Sequence, residues 1–375
     1  MLRGHGGNSI DLARQLGCAP EEIIDMSSNI NPLGPPPGLI RYLKHHIDVV
    51  GSFPEVDARE ISKRFAGSCR IDPKRVLPGN GTTQIIYSIP QALEIRRALI
   101  VGPTYSDYAD ACRLHNVKTT FVFAEASKNF QTDINQIKTR LDKVNAVFIC
   151  NPNNPTGSLI SPDELKSLCR SYPGTYFIID ESYLPFVPGA EALSLRRLDS
   201  GNLLVLSSIS KIFAIPGLRI GFVISAAEII KKFQCFLQPW SVNSLAQLAV
   251  RHLTAIENGT DAFIEKTQRY IQTERRRFLD ASKDFSDFDL FPSTTNFMLA
   301  GLPYDLQAED VINQLARDKI LIRNCHNFNG LSSRYVRISL KTPEANHLLA
   351  EKLSAMVRKT TVEPKRPDAK IRITG

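Results

Sequence analysis

The chain has 375 residues, 43% hydrophobic and 22% charged, which is the balance of a globular protein and excludes a disordered one. At roughly 150 residues per domain this length predicts two or three domains, with a core large enough to do without disulfide staples. The 46 lysines and arginines exceed the 38 acidic residues, giving +8. They are spread along the chain and not massed in runs, which argues against nucleic acid and for a small anionic substrate.

No run of about 18 apolar residues occurs, so no membrane-spanning helix is expected and no membrane partner. The start, MLRGHGGNSI, lacks the apolar stretch of a secretory signal. The seven cysteines contain no CxxC pair. That predicts reduced thiols in a cytoplasmic protein, no disulfide framework and no metal site.

Residues 1–40 are rich in Gly, Pro and Asn, with HGGN at 5–8 and SSNINPLGPPPG from Ser27. They predict an irregular arm with a short helix near 9–17. From about 75, short apolar runs at 97–101, 119–123, 145–149, 176–180, 203–207 and 220–224 alternate with amphipathic segments such as 104–115 and 162–171. This alternation predicts an α/β unit, a mostly parallel sheet covered on both faces, over roughly 41–245. Beyond Pro239-Trp240 the texture changes. Helices are expected at 244–257, 260–284, 306–318 and 343–357, with strands at 296–300, 320–323 and 335–340, a smaller α+β unit over 246–360. Arg275-Arg276-Arg277 reads as a solvated helix face, and 361–375 as a loose tail.

Ligands in open α/β sheets bind beyond the carboxyl ends of the strands, and four punctuated segments fall there. Gly79-Asn80-Gly81-Thr82-Thr83 precedes an apolar helix; a glycine turn at a helix N-terminus suits a phosphate, or is a plain turn with a Thr cap. Asn151-Pro-Asn-Asn154-Pro-Thr-Gly157 is a rigid loop that holds amide groups at a strand end. Asp180-Glu-Ser-Tyr183 puts a carboxylate at the end of a buried strand, where it needs a cation or a strong donor, or serves as a helix cap. Ser208-Ile-Ser210-Lys211, followed by Arg219, offers a lysine that desolvation would make nucleophilic, with anion-binding groups around it.

Taken together, these groups describe a site for an aromatic aldehyde phosphate. The chain resembles, over nearly its whole length, the class I/II, fold-type I aminotransferases that use pyridoxal 5′-phosphate (PLP). The resemblance implies the type I fold: a mixed, mostly parallel sheet in a large domain and a smaller α+β C-terminal domain. It implies that Lys211 carries the cofactor covalently and that Asp180 partners the pyridine nitrogen. Asn154 and Tyr183 would donate to the ring hydroxyl oxygen, and Tyr105 would stack on the ring. Gly81, Thr82, Thr83, Ser208, Ser210 and Arg219 would form the phosphate cup. Arg337 would take the substrate carboxylate as a bidentate fork. A homodimer is implied as well. Relatives commonly carry a tyrosine where this chain has Phe53, and that tyrosine reaches across the dimer to the cofactor phosphate.

Shorter strings narrow the resemblance. His5-Gly-Gly-Asn8, Asn29-Ile-Asn31-Pro, Ala214-Ile-Pro-Gly-Leu-Arg219, Pro239-Trp-Ser-Val-Asn243 and Leu321-Ile-Arg323-Asn-Cys resemble members whose substrates are small phosphorylated amino acids and amines. They imply decarboxylation, with transamination as the alternative, and make His5, Asn8, Asn31 and Arg323 the candidates to grip the substrate phosphate. A PLP-fold protein without activity is a third reading, and the intact Lys211 speaks against it.

Overall fold

The computed structural model describes residues 6–283 and 288–362. His5 and most of the expected tail lie outside the described residues. The helix Pro343–Val362 reaches into the start of that tail.

In chain order the strands are β1 (Ile24–Asp25), β2 (Val76–Asn80), β3 (Arg97–Gly102), β4 (Lys118–Phe123), β5 (Ala146–Cys150), β6 (Tyr176–Asp180), β7 (Leu203–Ser207), β8 (Ile220–Ser225), β9 (Asp289–Leu290), β10 (Phe297–Gly301), β11 (Ile320–Leu321), β12 (Arg323–Asn324) and β13 (Tyr335–Ser339). The main sheet has the order β2-β8-β7-β6-β5-β3-β4. The strands β4, β3, β5, β6 and β7 run parallel, and β8 runs antiparallel to both β7 and β2. Every residue of β5 and β8 is buried, as expected for strands covered on both faces. The edge strand β4 instead shows an alternating pattern.

The reversal of β8 matters for the site. Its first residue lies at the same edge as the last residues of the parallel strands. Arg219, just before β8, therefore joins Gly81 after β2, Tyr105 after β3, Asn151 after β5, Asp180 at the end of β6 and Ser208 after β7. Gly79 and Gly221 face each other in the β2–β8 register. A Cβ on Gly221 would meet the backbone nitrogen of Thr82 at 2.6 Å, so the glycine lets the next helix start against the strand.

A second sheet, β12-β13-β10-β9, is antiparallel throughout. The helices Thr260–Ala281 and Pro343–Val362 pack together beside it. The arm contains the expected short helix, Ser9–Leu16. It also contains β1, which pairs in parallel with β11. Leu12, Ala13 and Ile23 pack on Ala316 and Leu321, so the arm is anchored on this side of the molecule. We propose that each sheet with its helices forms one domain, with the arm joining the two.

One local expectation needs correcting. Arg275 is not solvated: its guanidinium turns inward and donates to the Thr295 carbonyl, while Arg276 and Arg277 are exposed. Burial pushes the Arg275 group down to about 10. Among the described residues no helix is long and apolar enough to cross a membrane. None of the seven cysteines is in a disulfide.

The start of β7, which delivers Ser208 and Lys211, is held by Asn202. Its Nδ2 donates at 3.0 Å to the carbonyls of Cys169, Tyr172 and Thr175, and its Oδ1 accepts from Ser200 Oγ at 2.6 Å. Asn202→Ala should cost about 1–3 kcal/mol, because buried carbonyls lose their donor. Asn202→Asp should cost more, because an acceptor-only group would face three oxygens. Urea midpoints in the order wild type, Ala, Asp would bear this out; an Asp variant as stable as wild type would not.

Candidate active site

At the shared edge of the main sheet a cavity of about 250 Å³ is lined by Ser27, Asn29, Gly81, Thr82, Thr83, Tyr105, Tyr108, Asn154, Asp180, Ser182, Tyr183, Ser208, Ser210, Lys211, Arg219, Phe328, Arg323 and Arg337, among others. Ten residues expected from the sequence to hold the cofactor, and Lys211 itself, converge here from five loops.

Lys211 follows the end of β7. Its backbone carbonyl accepts from the Asn31 N–H at 3.0 Å. Burial, reinforced by Arg337, Arg219 and Lys341, pushes its ammonium down to about 8, against the pull of Asp180. Near-neutral lysine is the nucleophilic form. Asp180 is only 5% exposed. It accepts from Tyr108 Oη at 2.7 Å and from Ser182 N at 2.9 Å. Burial raises its carboxyl above the usual range despite these bonds. Tyr183 is buried and pushed up to about 12 by that burial, and its Oη accepts from Asn29 Nδ2 at 3.2 Å.

One end of the cavity carries groups that suit a phosphate. The helix Gly81–Ala92 begins there with no side-chain cap on its first turn, leaving N–H groups and the positive dipole end open. Gly81 has φ +71°, and a Cβ there would meet Arg219 Nη2 at 2.5 Å. Arg219 thus lies across the helix start. Ser208 is buried beside it. The Ser210 hydroxyl donates to the Ile220 carbonyl at 3.0 Å, so its proton is engaged within the fold. Tyr105 packs edge-on to Tyr108, with ring centroids 5.8 Å apart.

The other end is cationic. Arg337 on β13 donates through Nη1 to Asn154 Oδ1 at 2.5 Å and through Nη2 to the Ser27 carbonyl at 2.6 Å. Its Nε is buried and has no partner among the described residues. Arg323 on β12 is the direct cross-strand partner of Arg337. Its guanidinium donates to Asn327 Oδ1 at 2.6 Å and lies 5.4 Å from the centre of the Phe328 ring. Burial and the Arg337 charge push it down to about 10.

Two expected substrate contacts are absent from the cavity. Asn31 is buried, but its Nδ2 donates to the Ile212 carbonyl and Thr267 Oγ1, at 2.7 and 2.9 Å, and its Oδ1 accepts from Leu33 N at 3.0 Å. Both its donors and its oxygen are engaged inside the fold, and it braces the Lys211 loop. Asn8 is exposed at the start of the helix Ser9–Leu16. His5 lies outside the described residues, while its neighbour Gly6 lines the cavity. Phe53 is 83% exposed and lies 5.2 Å from Trp240, ring centre to ring centre.

Sequence reasoning missed Tyr108, Asn29, Ser27, Ser182 and Phe328. Tyr108 stands three residues after Tyr105, in the first turn of the helix Asp107–Leu114. The Asn29 and Ser27 contacts depend on a packing of the arm that no local pattern encodes.

The residues fit PLP. An uncapped helix N-terminus, a cradle that a Cβ on Gly81 would fill, a buried carboxylate and a lysine of lowered basicity match its phosphate, ring nitrogen and aldehyde. Among the described residues the buried Arg337 Nε has no partner, and an anionic ligand would supply one. Fold and site together define a PLP-dependent enzyme of fold type I. The family model described as "Aminotransferase class I and II" matches residues 21–353, and the chain belongs to that family. The threonine-phosphate decarboxylase of Salmonella typhimurium is 30% identical over 92% of this chain and 94% of its own length. The adenosylcobalamin biosynthesis bifunctional protein CobDQ of Leptospira interrogans is 32% identical over 94% of this chain, which spans 41% of that protein. The crystal structure of histidinol-phosphate aminotransferase from Clostridium acetobutylicum superposes with a TM-score of 0.81 at 28% identity, covering 90% of this chain and 100% of that one.

The lowered basicity of Lys211 has a stability consequence in the apoprotein. Below about pH 8 both folded and unfolded states carry the charge, and the folded state bears its full burial cost. Between about 8 and the unfolded value near 10.5 the unfolded chain binds more protons, so stability rises with pH. Apo Lys211→Met should therefore melt higher than the apo wild type at pH 7. That advantage should vanish by about pH 11. Equal Tm values at pH 7 would refute a burial cost at this lysine.

Proposed function

We propose that the protein decarboxylates L-threonine O-3-phosphate to (R)-1-amino-2-propanol phosphate and CO₂, as a step of cobalamin synthesis. The observation that carries this reading is the Arg323–Arg337 pair. Two buried like charges directly across a strand pair repel. A ligand with two anionic ends a few bonds apart relieves that repulsion, and threonine phosphate has a carboxylate and a phosphate so spaced. The similarity to a threonine-phosphate decarboxylase and to a cobalamin-synthesis protein supports the choice.

Bound PLP supplies a conjugated ring that accepts the electron pair of whichever Cα bond stands perpendicular to it. The protein's part is to choose that bond. Lys211 would hold the cofactor aldehyde and, once the substrate amine has displaced it there, its Nζ would be placed to return a proton to Cα in place of the CO₂ lost. Asp180 keeps the ring nitrogen protonated. Asn154, with Oδ1 committed to Arg337, has its Nδ2 left to donate to the ring oxygen alongside Tyr183. The first turn of the helix Gly81–Ala92, with Thr82, Thr83, Ser208 and Arg219, holds the cofactor phosphate, and Tyr105 covers the ring. Arg337 takes the substrate carboxylate, and Arg323, with His5, takes the substrate phosphate. Two fixed ends set the rotation about Cα, so the carboxylate and not the hydrogen stands out of the ring plane.

The competing reading is transamination of histidinol phosphate, supported by the likeness to that aminotransferase. Incubating the holoenzyme with threonine phosphate should release CO₂ and amine in equal amounts without an oxo-acid. Turnover that depends on 2-oxoglutarate would decide for transamination. Serine phosphate differs by one methyl, worth about 1–3 kcal/mol of discrimination. Arg323→Ala should lower kcat/KM for threonine phosphate about ten- to a hundredfold and leave the weak reaction of threonine unchanged. Arg337→Ala should impair both substrates. Equal losses on both substrates in Arg323→Ala would remove Arg323 from the phosphate.

The enzyme is proposed to act as a homodimer. Val50, Phe53 and Trp240 are exposed apolar groups around a hollow that also includes Gly217 and Leu218, next to the phosphate end. A second copy would cover them. Sedimentation should give a dimer, and Phe53→Tyr should bind PLP equally or more tightly. A fully active monomer would exclude this arrangement.

A further inference from the structure

Asn29 has no part in the chemistry described so far, yet it is 2% exposed and lines the cavity. Both ends of its amide are engaged. Ser339 Oγ, fully buried on β13, donates to Asn29 Oδ1 at 2.7 Å. Asn29 Nδ2 donates to Tyr183 Oη at 3.2 Å. In this orientation the amide presents an N–H, and not its carbonyl, to the phenol. Turned over, it would present the carbonyl, and the phenol would donate to it and away from the cavity.

The Tyr183 ring has no freedom to answer by moving. It lies edge-on to Phe297, with centroids 5.0 Å apart, and beside Phe186 at 6.5 Å. What remains free is the hydroxyl torsion. A phenol keeps its proton near the ring plane, which leaves two directions. The Asn29 N–H occupies the lone-pair side of one of them. The proton is then left to the other direction.

We propose that Asn29, clamped by Ser339, is a positioning residue that aims the Tyr183 hydroxyl proton into the cavity, at the ring oxygen of the cofactor. This rests on the reading of Tyr183 as a donor to that oxygen. Without Asn29 the phenol could donate elsewhere or rotate freely. Ser339 stands two residues after Arg337 on the same face of β13. The strand that presents the carboxylate anchor therefore also aims the ring-oxygen donor, through one residue of the arm. The charged and titratable groups around the Tyr183 hydroxyl are Arg337 from β13, Asp180 from β6, Cys150 from β5 and Tyr105 from the loop after β3. None of them changes in the variants below; Asn29→Asp adds a carboxylate whose own charge also raises the midpoint, so the neutral Ser339 variants carry the decision.

The test is a pH titration of the visible absorption of the holoprotein. A proton donated to the ring oxygen favours its ionised form, so losing that donor raises the midpoint of the chromophore. Tyr183→Phe checks the underlying reading and should move the midpoint up by about one to two pH units. Asn29→Asp presents an acceptor to the phenol, turns its proton away from the cavity and should raise the midpoint at least as far. Ser339→Ala releases the amide and should raise it less, and Ser339→Thr, which keeps the hydroxyl, should restore the wild-type value. In the Tyr183→Phe background Ser339→Ala should have no further effect. If Tyr183→Phe shifts the midpoint and Ser339→Ala does not, the aiming role is refuted while Tyr183 keeps its place. If Tyr183→Phe itself leaves the midpoint unchanged, the reading of Tyr183 falls, and this proposal with it.

Discussion

The guanidinium of Arg337 is buried at the meeting point of three parts of the chain. It belongs to β13 of the second sheet, it donates to Asn154 in the loop after β5 of the main sheet, and it donates to the carbonyl of Ser27 in the arm. A buried cation with its donors unsatisfied would cost several kcal/mol. Only one relative placement of sheet, loop and arm supplies both acceptors. The arm is itself shaped for this. Asp25 Oδ1 accepts from the backbone and hydroxyl of Ser27 and from Ser28 N, at 2.9, 2.6 and 3.2 Å, which turns the Ser27 carbonyl toward the arginine. The walls of the cavity are in this sense held around a single charge.

The opposite end of the cavity rests on topology. Reversing one strand, β8, in a parallel sheet brings a strand beginning to the edge where the others end. That places an arginine across the N-terminus of a helix that follows β2. The glycines at 79, 81 and 221 are required there because Cβ atoms would collide with Arg219, with the helix backbone and with the side chains of Gln84 and Ile85. The phosphate end is thus backbone geometry with one cation added.

Between the two ends the electrostatics are uneven. Lys211, Arg219, Arg323 and Arg337 line the cavity, and Asp180 is the one carboxylate among its described lining residues. Burial lowers the basicity of Lys211, and this excess of positive charge reinforces it. The phosphate of PLP suits this charge, and so would the two anionic ends of the proposed substrate. The same frame serves decarboxylases and aminotransferases, since both hold a carboxylate and a phosphorylated ring. The difference is a rotation about one bond, governed by where the second anion is held.

Much of this was legible in the residues themselves. Lys211, Asp180, Asn154, Gly81 and Arg219 stand in strings whose glycines, prolines and strand-end positions are dictated by local backbone conformation, and local conformation is what a sequence encodes most directly. The strands of the main sheet were legible for the same reason, as short apolar runs between turn residues. Asn31 misled because a polar residue among Gly and Pro looks equally suited to a ligand or to the protein's own backbone; the Ile212 carbonyl and the Thr267 hydroxyl that claim it lie far off in the chain. Arg275 misled because the carbonyl that its guanidinium meets, that of Thr295, lies twenty residues on in the chain. Tyr108 behind Asp180, Asn29 between Ser339 and Tyr183, and Arg323 directly across from Arg337 were decided by tertiary structure alone. Each is a contact between side chains brought together by sheet register or by the docking of the arm, and pairings of that kind leave no periodicity in the chain.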